Sequence, residues 1–448
     1  MIVVAWGAVI AVASVTSGGL WWWLRREGEI IAPLPIGLST IALHILPRAV
    51  YLLVFGRAPL TSAGLNQARQ LGLIAATTLA ALVATIGLLL GYRARWASRS
   101  GAYLRVHVPT PDLHRGLWVG GAAALVGLLA LVYLLTIVGN LVYALGHQYE
   151  ITLLLERKQS LFQLARLLVV AVLVLLVNPA SGKTRPWVWI MAAATTVALL
   201  PFGSRAQVLL AAASPIALYH LTVRRLPLRW MLAGGAAGAV TLFVVGFARL
   251  LTMSRIEQVV GSFSRRPSAA IHFTFNAVGE LKIFDATSLV VRDVPDLIPY
   301  NYGTTFARVP WMIIPRRLWH EKPVTSGHLI VQRYLPNLRT AYPPMAIGEL
   351  FAAAGWLGVL IGFFVLGWVS RVVWEWHQRH AGSGNASVYL LYCFFVFDFI
   401  RVGDPSRTIW FSLIGAFLTA LVFAVSASYS GPPDADRLAS SSPSPAPA

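Results

Sequence analysis

The densest group of chemically able side chains in this sequence lies between Pro315 and Gly327: Arg316, Arg317, Trp319, His320, Glu321 and Lys322, with Pro323 closing the run. Three cations around a carboxylate and an imidazole form a compact patch for an anion. Guanidinium groups fork onto two oxygens at once, and the ammonium adds a point charge on a flexible stem. The two prolines restrict the backbone, and the indole supplies a flat apolar wall. A basic loop resting on anionic lipid headgroups has the same composition, so the patch by itself leaves both readings open.

No metal is expected beside it. The carboxylates are scattered, there is no H-x-x-x-H, and the single cysteine, Cys393, sits in an apolar stretch. Neither a hard-cation cage nor a zinc site is evident, and no cofactor is implied.

The elements that must carry this patch follow from composition. Of 448 residues, 57% are hydrophobic and 12% charged, and the mean hydropathy is +0.68. A soluble domain needs about 25% charged residues to face water, so a soluble globular protein is excluded. With about 20 residues per membrane-spanning helix, apolar runs read as spans at about 2–24, 30–55, 70–91, 117–139, 161–178, 187–203, 206–223, 230–251, 346–373, 387–400 and 408–427. The expected fold class is all-α, a polytopic transmembrane bundle of about 11 spans.

Charge sets the orientation. There are 36 Lys and Arg against 17 Asp and Glu, a net +19. Such an excess in a soluble chain would point to nucleic acid; here the bases flank apolar segments, and nucleic acid is not an expected partner. The short loops after spans 1, 3, 5, 7 and 9 hold fourteen bases, among them Arg25, Arg26, Arg93, Arg95, Arg99, Arg105, Arg371 and Arg379; those after spans 2, 4, 6 and 10 hold seven. The positive-inside rule then places the N-terminus outside and the C-terminus in the cytoplasm of a multi-pass inner-membrane protein.

Between spans 8 and 9 lies one large loop, 252–345, which the same parity puts on the extracytoplasmic side. It holds eleven bases against six acids and many aromatic residues. Loops this long are functional or disordered, and the aromatic content argues for order; stretches such as 268–291 are expected to be helices lying on the bilayer surface. The chain therefore divides into 1–251 (spans 1–8), this loop, 346–427 (spans 9–11) and a disordered, Ser/Pro-rich cytoplasmic tail, 428–448.

The run Ile314-Pro-Arg-Arg-Leu-Trp-His-Glu-Lys-Pro323 resembles the I-P-R-x-L-W-x-x-K-P segment of bacterial oligosaccharide repeat unit polymerases, the O-antigen polymerase (Wzy-type) group. Gly203-Ser-Arg205 at the opening of span 7, Gly348-Glu-Leu-Phe-Ala-Ala-Ala-Gly355 entering span 9, and Ile400-Arg-Val-Gly-Asp404 at the end of span 10 agree with it. The resemblance runs over about 200–427; spans 1–6 match only in being hydrophobic.

The resemblance implies glycosyl transfer: a glycan on polyprenyl diphosphate moves onto the sugar of an incoming lipid-linked repeat unit, building a cell-surface polysaccharide such as an exopolysaccharide or O-antigen. Undecaprenyl-diphosphate-type donors carry a competent leaving group once its charge is stabilised, which cations can do. The diphosphate-binding candidates are Arg316, Arg317, Lys322, Arg205, Arg401 and Arg249. The acceptor hydroxyl needs a base, for which Glu349, His320 and Glu321 are the candidates, with Asp404 behind them. Asp398, Arg401 and Asp404 read equally well as a structural ion-pair cluster. Arg48 and Arg166 fall inside apolar runs, where a charge faces a cavity or partner or snorkels to an interface.

Three other readings remain open. A ligase-like glycan transferase shares the spans, the outer loop and the donor. A polyprenyl-phosphate-sugar transferase would draw on Glu27-Gly-Glu29. A non-enzymatic flippase or exporter would line its route with charge through the spans. The partners expected are lipid-linked oligosaccharides and membrane lipids, with a chain-length regulator and a flippase beside the polymerase.

Overall fold

A computed structural model describes residues 1–56, 67–139, 161, 164–165, 167–177, 181–199, 205–231, 233–235, 238, 275, 283–314, 319, 326–334, 343–380 and 382–427. In chain order its helices are α1 (Ile2–Arg26), α2 (Pro33–Val54), α3 (Gln67–Arg93), α4 (Arg95–Tyr103), α5 (Leu113–Val138), α6 (Leu167–Val177), α7 (Ser181–Leu199), α8 (Arg205–Thr222), α9 (Ile283–Asp293), α10 (Thr304–Ala307), α11 (Ser326–Tyr334), α12 (Met345–Arg379), α13 (Ser383–Val402) and α14 (Pro405–Ser426), with a 3-10 turn at Val309–Ile313. The described residues contain no strand.

Six of these helices are long and apolar enough to cross a membrane: α1, α2, α3, α5, α12 and α13. Shorter apolar helices lie within α6, α7, α8 and α14. The protein is thus all-helical, with several long apolar helices of the kind a multi-pass membrane protein needs. Several hydroxyls inside the spans are satisfied within their own helix: Thr40 donates to Ile36 O at 2.7 Å, Thr78 to Ile74 O at 2.8 Å, and Thr85 to Ala81 O at 2.8 Å. That pairing lets threonine sit in an apolar bundle without an orphaned donor.

The main core joins α1, α2, α3, α9, α12 and α13 through residues such as Trp23, Leu38, Ile41, Leu88, Phe284, Phe363 and Ile400. Close approach of α3 and α12 rests on glycine. A Cβ at Gly91 would stand 1.9 Å from the Phe364 carbonyl oxygen, and one at Gly367 would stand 2.2 Å from that of Leu88. Small residues let helix backbones meet where lipid offers no hydrophobic push. A second core links α5 and α6 with Leu199 and Ala211, and a third links α6, α7 and α8 to α13.

The antiparallel pair α12 and α13 defines two ends. At one, Trp376 Nε1 donates to Val106 O at 2.8 Å, the Val108 amide donates to Asn385 Oδ1 at 2.7 Å, and Tyr389 donates to Ile31 O at 2.8 Å. This end gathers the chain between α1 and α2 with the chain between α4 and α5. At the other end the turn between α13 and α14 meets the start of α12 and the segment 299–314.

Two expectations need correction. The span at 346–373 is not one continuous helix: α12 breaks at Ala354 (φ −159°, ψ 34°) and Gly355 (φ 62°, ψ −142°). The second backbone conformation belongs almost exclusively to glycine. The stretch 268–291 is not a surface helix where it is described. Within α9, Ile283 through Val290 are all buried, packed against α2, α3 and α12, and the one charge among them, Asp285, is neutralised inside the bundle by Arg48.

Candidate functional site

Residues 345–353, ahead of the break, form a short half-helix in which every residue is buried. Its start is held by α9, where the Thr287 hydroxyl donates to Pro344 O at 2.7 Å. Its end is held by the segment after α9: the Asn301 amide donates to Ala352 O at 2.9 Å, and the Tyr300 hydroxyl lies 3.0 Å from where a Cβ on Gly355 would be. Irregular backbone within a bundle is tolerated when protein groups satisfy it in this way.

Glu349 is carried by this half-helix and is 0% exposed. Its Oε2 accepts the Ser326 amide at 3.1 Å, so it caps the N-terminus of α11 and not that of its own helix. The hydroxyls of Thr305 and Ser326 flank the carboxyl, and Asp404 lies within electrostatic range. Glu349 Oε1, Thr305 Oγ1 and Ser326 Oγ are all buried, with the two hydroxyls standing as donors to the carboxyl.

Beside this group the α13–α14 turn presents the charges of the Ile400–Asp404 motif. Arg401 Nη2 pairs with Asp398 Oδ1 at 2.8 Å, one turn back on α13. Arg308, at the end of α10, places Nη2 3.9 Å from Asp404 Oδ1. Both guanidiniums are nearly enclosed, whereas the side chain of Asp404 is 23% exposed. Gly403 (φ 74°) closes the turn, and a Cβ there would lie 2.1 Å from Met345 O. The helix C-cap and the start of the half-helix therefore touch backbone to backbone, which fixes Arg401 relative to Glu349.

The structure brings together Glu349, Arg401, Asp398 and Asp404 from the sequence expectation. Arg205 opens α8, with its backbone alone described. Arg249, Arg316, Arg317, His320, Glu321, Lys322 and Arg166 lie outside the described residues. Of the basic run itself, Trp319 is described, and it is half-buried. Both flanks of the run belong to this end: the Ile314 amide bonds to Trp311 O at 3.1 Å in the 3-10 turn after Arg308, and Ser326 is the residue tied to Glu349. Sequence reading missed Arg308, Thr305 and Ser326. Arg308 is followed by Val-Pro-Trp six residues before the basic run, an arrangement much like the run itself; the two hydroxyl residues carry no sequence signal.

Two further charged groups secure the frame. Arg48, at 1% exposure, forms a two-pronged pair with Asp285, Nε to Oδ1 at 3.2 Å and Nη2 to Oδ2 at 2.7 Å, and its Nη1 donates to Phe275 O at 2.8 Å. It faces a partner and does not snorkel. On the same helix as Asp285, buried Asp293 takes Arg292 Nε at 2.7 Å and the Tyr334 hydroxyl, which pins α11 to α9. Burial, and then the neighbouring Asp293 carboxylate, push the Tyr334 phenol above its ordinary range.

Glu27 and Glu29 lie at the opposite end. Glu27 pairs with Arg371 at 3.6 Å and Arg26 at 3.7 Å, and Glu29 with His220 at 3.2 Å. Comparison with protein-family models, with curated proteins and with solved structures gives no match.

Proposed function

We propose that this chain is a bundle of about 11 spans that polymerises polyprenyl-diphosphate-linked oligosaccharide repeat units at the outer face of the cytoplasmic membrane, without a metal-dependent step. The observation that carries the reading is the meeting, at one end of the bundle, of Arg401, Arg308 and Asp404 with both flanks of the Ile314–Pro323 run. Orientation is supported by the gathering of Arg25, Arg26, Arg93, Arg371 and Arg379 on the helix ends that join the other face.

In this reading the donor diphosphate lies against Arg401 and Arg308, with Arg316, Arg317 and Lys322 brought by the adjoining run and Arg205 and Arg249 as further cations. The acceptor hydroxyl oxygen attacks the donor's anomeric carbon. As that bond forms, the bond from the anomeric carbon to the diphosphate oxygen breaks. The electron pair leaves with the lipid diphosphate, whose charge the guanidiniums stabilise. The hydroxyl proton passes to a base. Asp404 is the more exposed of the carboxylates beside Arg401, His320 and Glu321 belong to the adjoining run, and Glu349 is the buried candidate.

Deleting the gene and sizing the surface glycan tests the proposal. Single repeat units in place of long chains are expected. Free, unattached polymer would instead identify a ligase, and cytoplasmic build-up of repeat units an exporter; either outcome overturns the polymerase reading.

A further inference from the structure

We propose that Arg26 and Arg93, which share the Trp22 ring, bind the phosphate of an anionic phospholipid where α1 and α3 end. The two helices run parallel and finish together: Met1 Cε lies 3.2 Å from where a Cβ on Gly72 would stand, and Leu89 Cδ2 3.1 Å from one on Gly19. Arg93 Cζ is 4.7 Å from the centre of the Trp22 ring and Arg26 Cζ is 5.7 Å from it; beside them Arg25 Cζ stands 4.1 Å over Trp21. An indole face attracts a cation, but two guanidiniums brought to one ring repel each other.

Local acids do not offset them. Glu27 Oε1 is 3.7 Å from Arg26 Nε and 3.6 Å from Arg371 Nη1, so one carboxylate is shared between two bases. Arg25 and Arg93 have no acidic partner among the described residues, and all three arginines are exposed. This corner calls for an anion, and guanidinium forks suit phosphate oxygens.

The surroundings select the source of that anion. Ile86, Leu90 and Arg93 follow one another at helical spacing on α3 and share a face. The two apolar side chains are 38% and 54% exposed and lead up to the guanidinium. On α1, Gly18 precedes Trp22 by one turn, is exposed, and has no atom within 4 Å of a Cβ built there. An acyl chain can lie along this open apolar track while its headgroup reaches the arginines; free phosphate has no use for it. Trp21, 57% exposed, marks the headgroup level, where indoles collect. A choline or ethanolamine head would return a cation to the arginines, so the lipid is one of net negative charge. The corner lies at the end of the bundle opposite Glu349 and Arg401, and binding there neither requires nor implies the transfer reaction.

The full chain is reconstituted in phosphatidylcholine vesicles containing either chain-brominated phosphatidylglycerol or chain-brominated phosphatidylcholine, whose bromines quench the indoles they touch. The difference in emission between the parent chain and Trp22→Phe isolates Trp22. Brominated phosphatidylglycerol should quench it about twofold or more beyond brominated phosphatidylcholine, and the preference should vanish in the double variant Arg26→Gln and Arg93→Gln. Should Trp22→Phe fail to fold, native mass spectrometry of the parent and the arginine variant with equal amounts of the two lipids reads the same preference as retained phosphatidylglycerol. Equal quenching or retention of the two lipids overturns the proposal, as does a preference that survives in the arginine variant. Loss of the preference on adding inorganic phosphate at constant ionic strength would assign the arginines to a free anion and overturns the lipid.

Discussion

Arg48 and Asp285 stand 237 positions apart in the sequence and meet as a two-pronged ion pair sealed inside the bundle. The pair joins α2 to α9, and through α9 it fixes the segments that carry Arg308 and Ser326. Removing one partner leaves a charge stranded in a dry interior, so Arg48→Ala should destabilise by about 3–5 kcal/mol. The pair Arg48→Met with Asp285→Leu should recover most of that loss. Thermal unfolding of the purified single and double variants decides it; a double variant no better than the single would show that the pair contributes more than mutual neutralisation.

Glu349 separates two roles by chemistry. Glutamine keeps an oxygen that accepts the Ser326 amide, while alanine removes it. Glu349→Ala should cost about 1–3 kcal/mol, the penalty of orphaning a buried amide, and should speed proteolysis within 326–334. Glu349→Gln should leave that protection largely intact. If glycan chain length also survives in the glutamine variant, Glu349 is a positioning residue and not the base.

The cations should be graded by chemistry and not by charge alone. Arg401→Ala and Arg308→Ala should each lower polymer formation by about 100-fold if their guanidiniums face the developing diphosphate charge. Lysine at either place should recover part of it, because it restores charge without the fork. Arg316→Ala and Arg317→Ala are expected to shorten the glycan too. Normal chain length in all four, at normal protein level, would remove the diphosphate from this end of the bundle.

Gly403→Ala should be more damaging than its size suggests. The added methyl would meet Met345 O at 2.1 Å, backbone against backbone, at a φ that disfavours any side chain. A loss of about 2 kcal/mol or more is expected from the strain and the shift together, measured as unfolding midpoint. Gly415→Ala, where no atom lies within 4 Å, is the control and should be neutral.

Tyr334 gives a pH signature. Its phenol is held above the ordinary value of 10.0 by burial and by the Asp293 carboxylate, and it donates to that carboxylate. A raised acid contributes stability that is whole below the unfolded value and fades as pH rises through the folded one. Tyr334→Phe should therefore cost about 1 kcal/mol at neutral pH, and the gap from the parent chain should narrow only above pH 10.0. A gap that closes between pH 6 and 8 would point to a different titrating group.

The helices were legible because apolar runs of span length have few other uses. The resemblance drew attention to the Ile400–Asp404 motif and Glu349, which the fold sets at one end of the bundle. The break in α12 was not legible: Ala352-Ala353-Ala354-Gly355 is ordinary in a membrane helix, and it is Tyr300 and Asn301, far back in the chain, that turn it. α9 was misplaced for a similar reason. Its aromatic residues suggested the bilayer surface, whereas Arg48 neutralises Asp285 inside the bundle and Arg292 and the Tyr334 hydroxyl bind Asp293. The hydroxyls beside Glu349 gave no sign, since nothing local distinguishes a serine that faces a buried carboxyl.

The break at Gly355 also settles a mismatch of length. As a straight rod, the 35 residues of α12 would reach about 52 Å, far beyond the roughly 30 Å of bilayer hydrocarbon. Turning the first nine aside leaves 356–379, about 36 Å, which fits with a modest tilt. The surplus turns are folded inward, where they become the floor on which the charged end of the bundle is assembled.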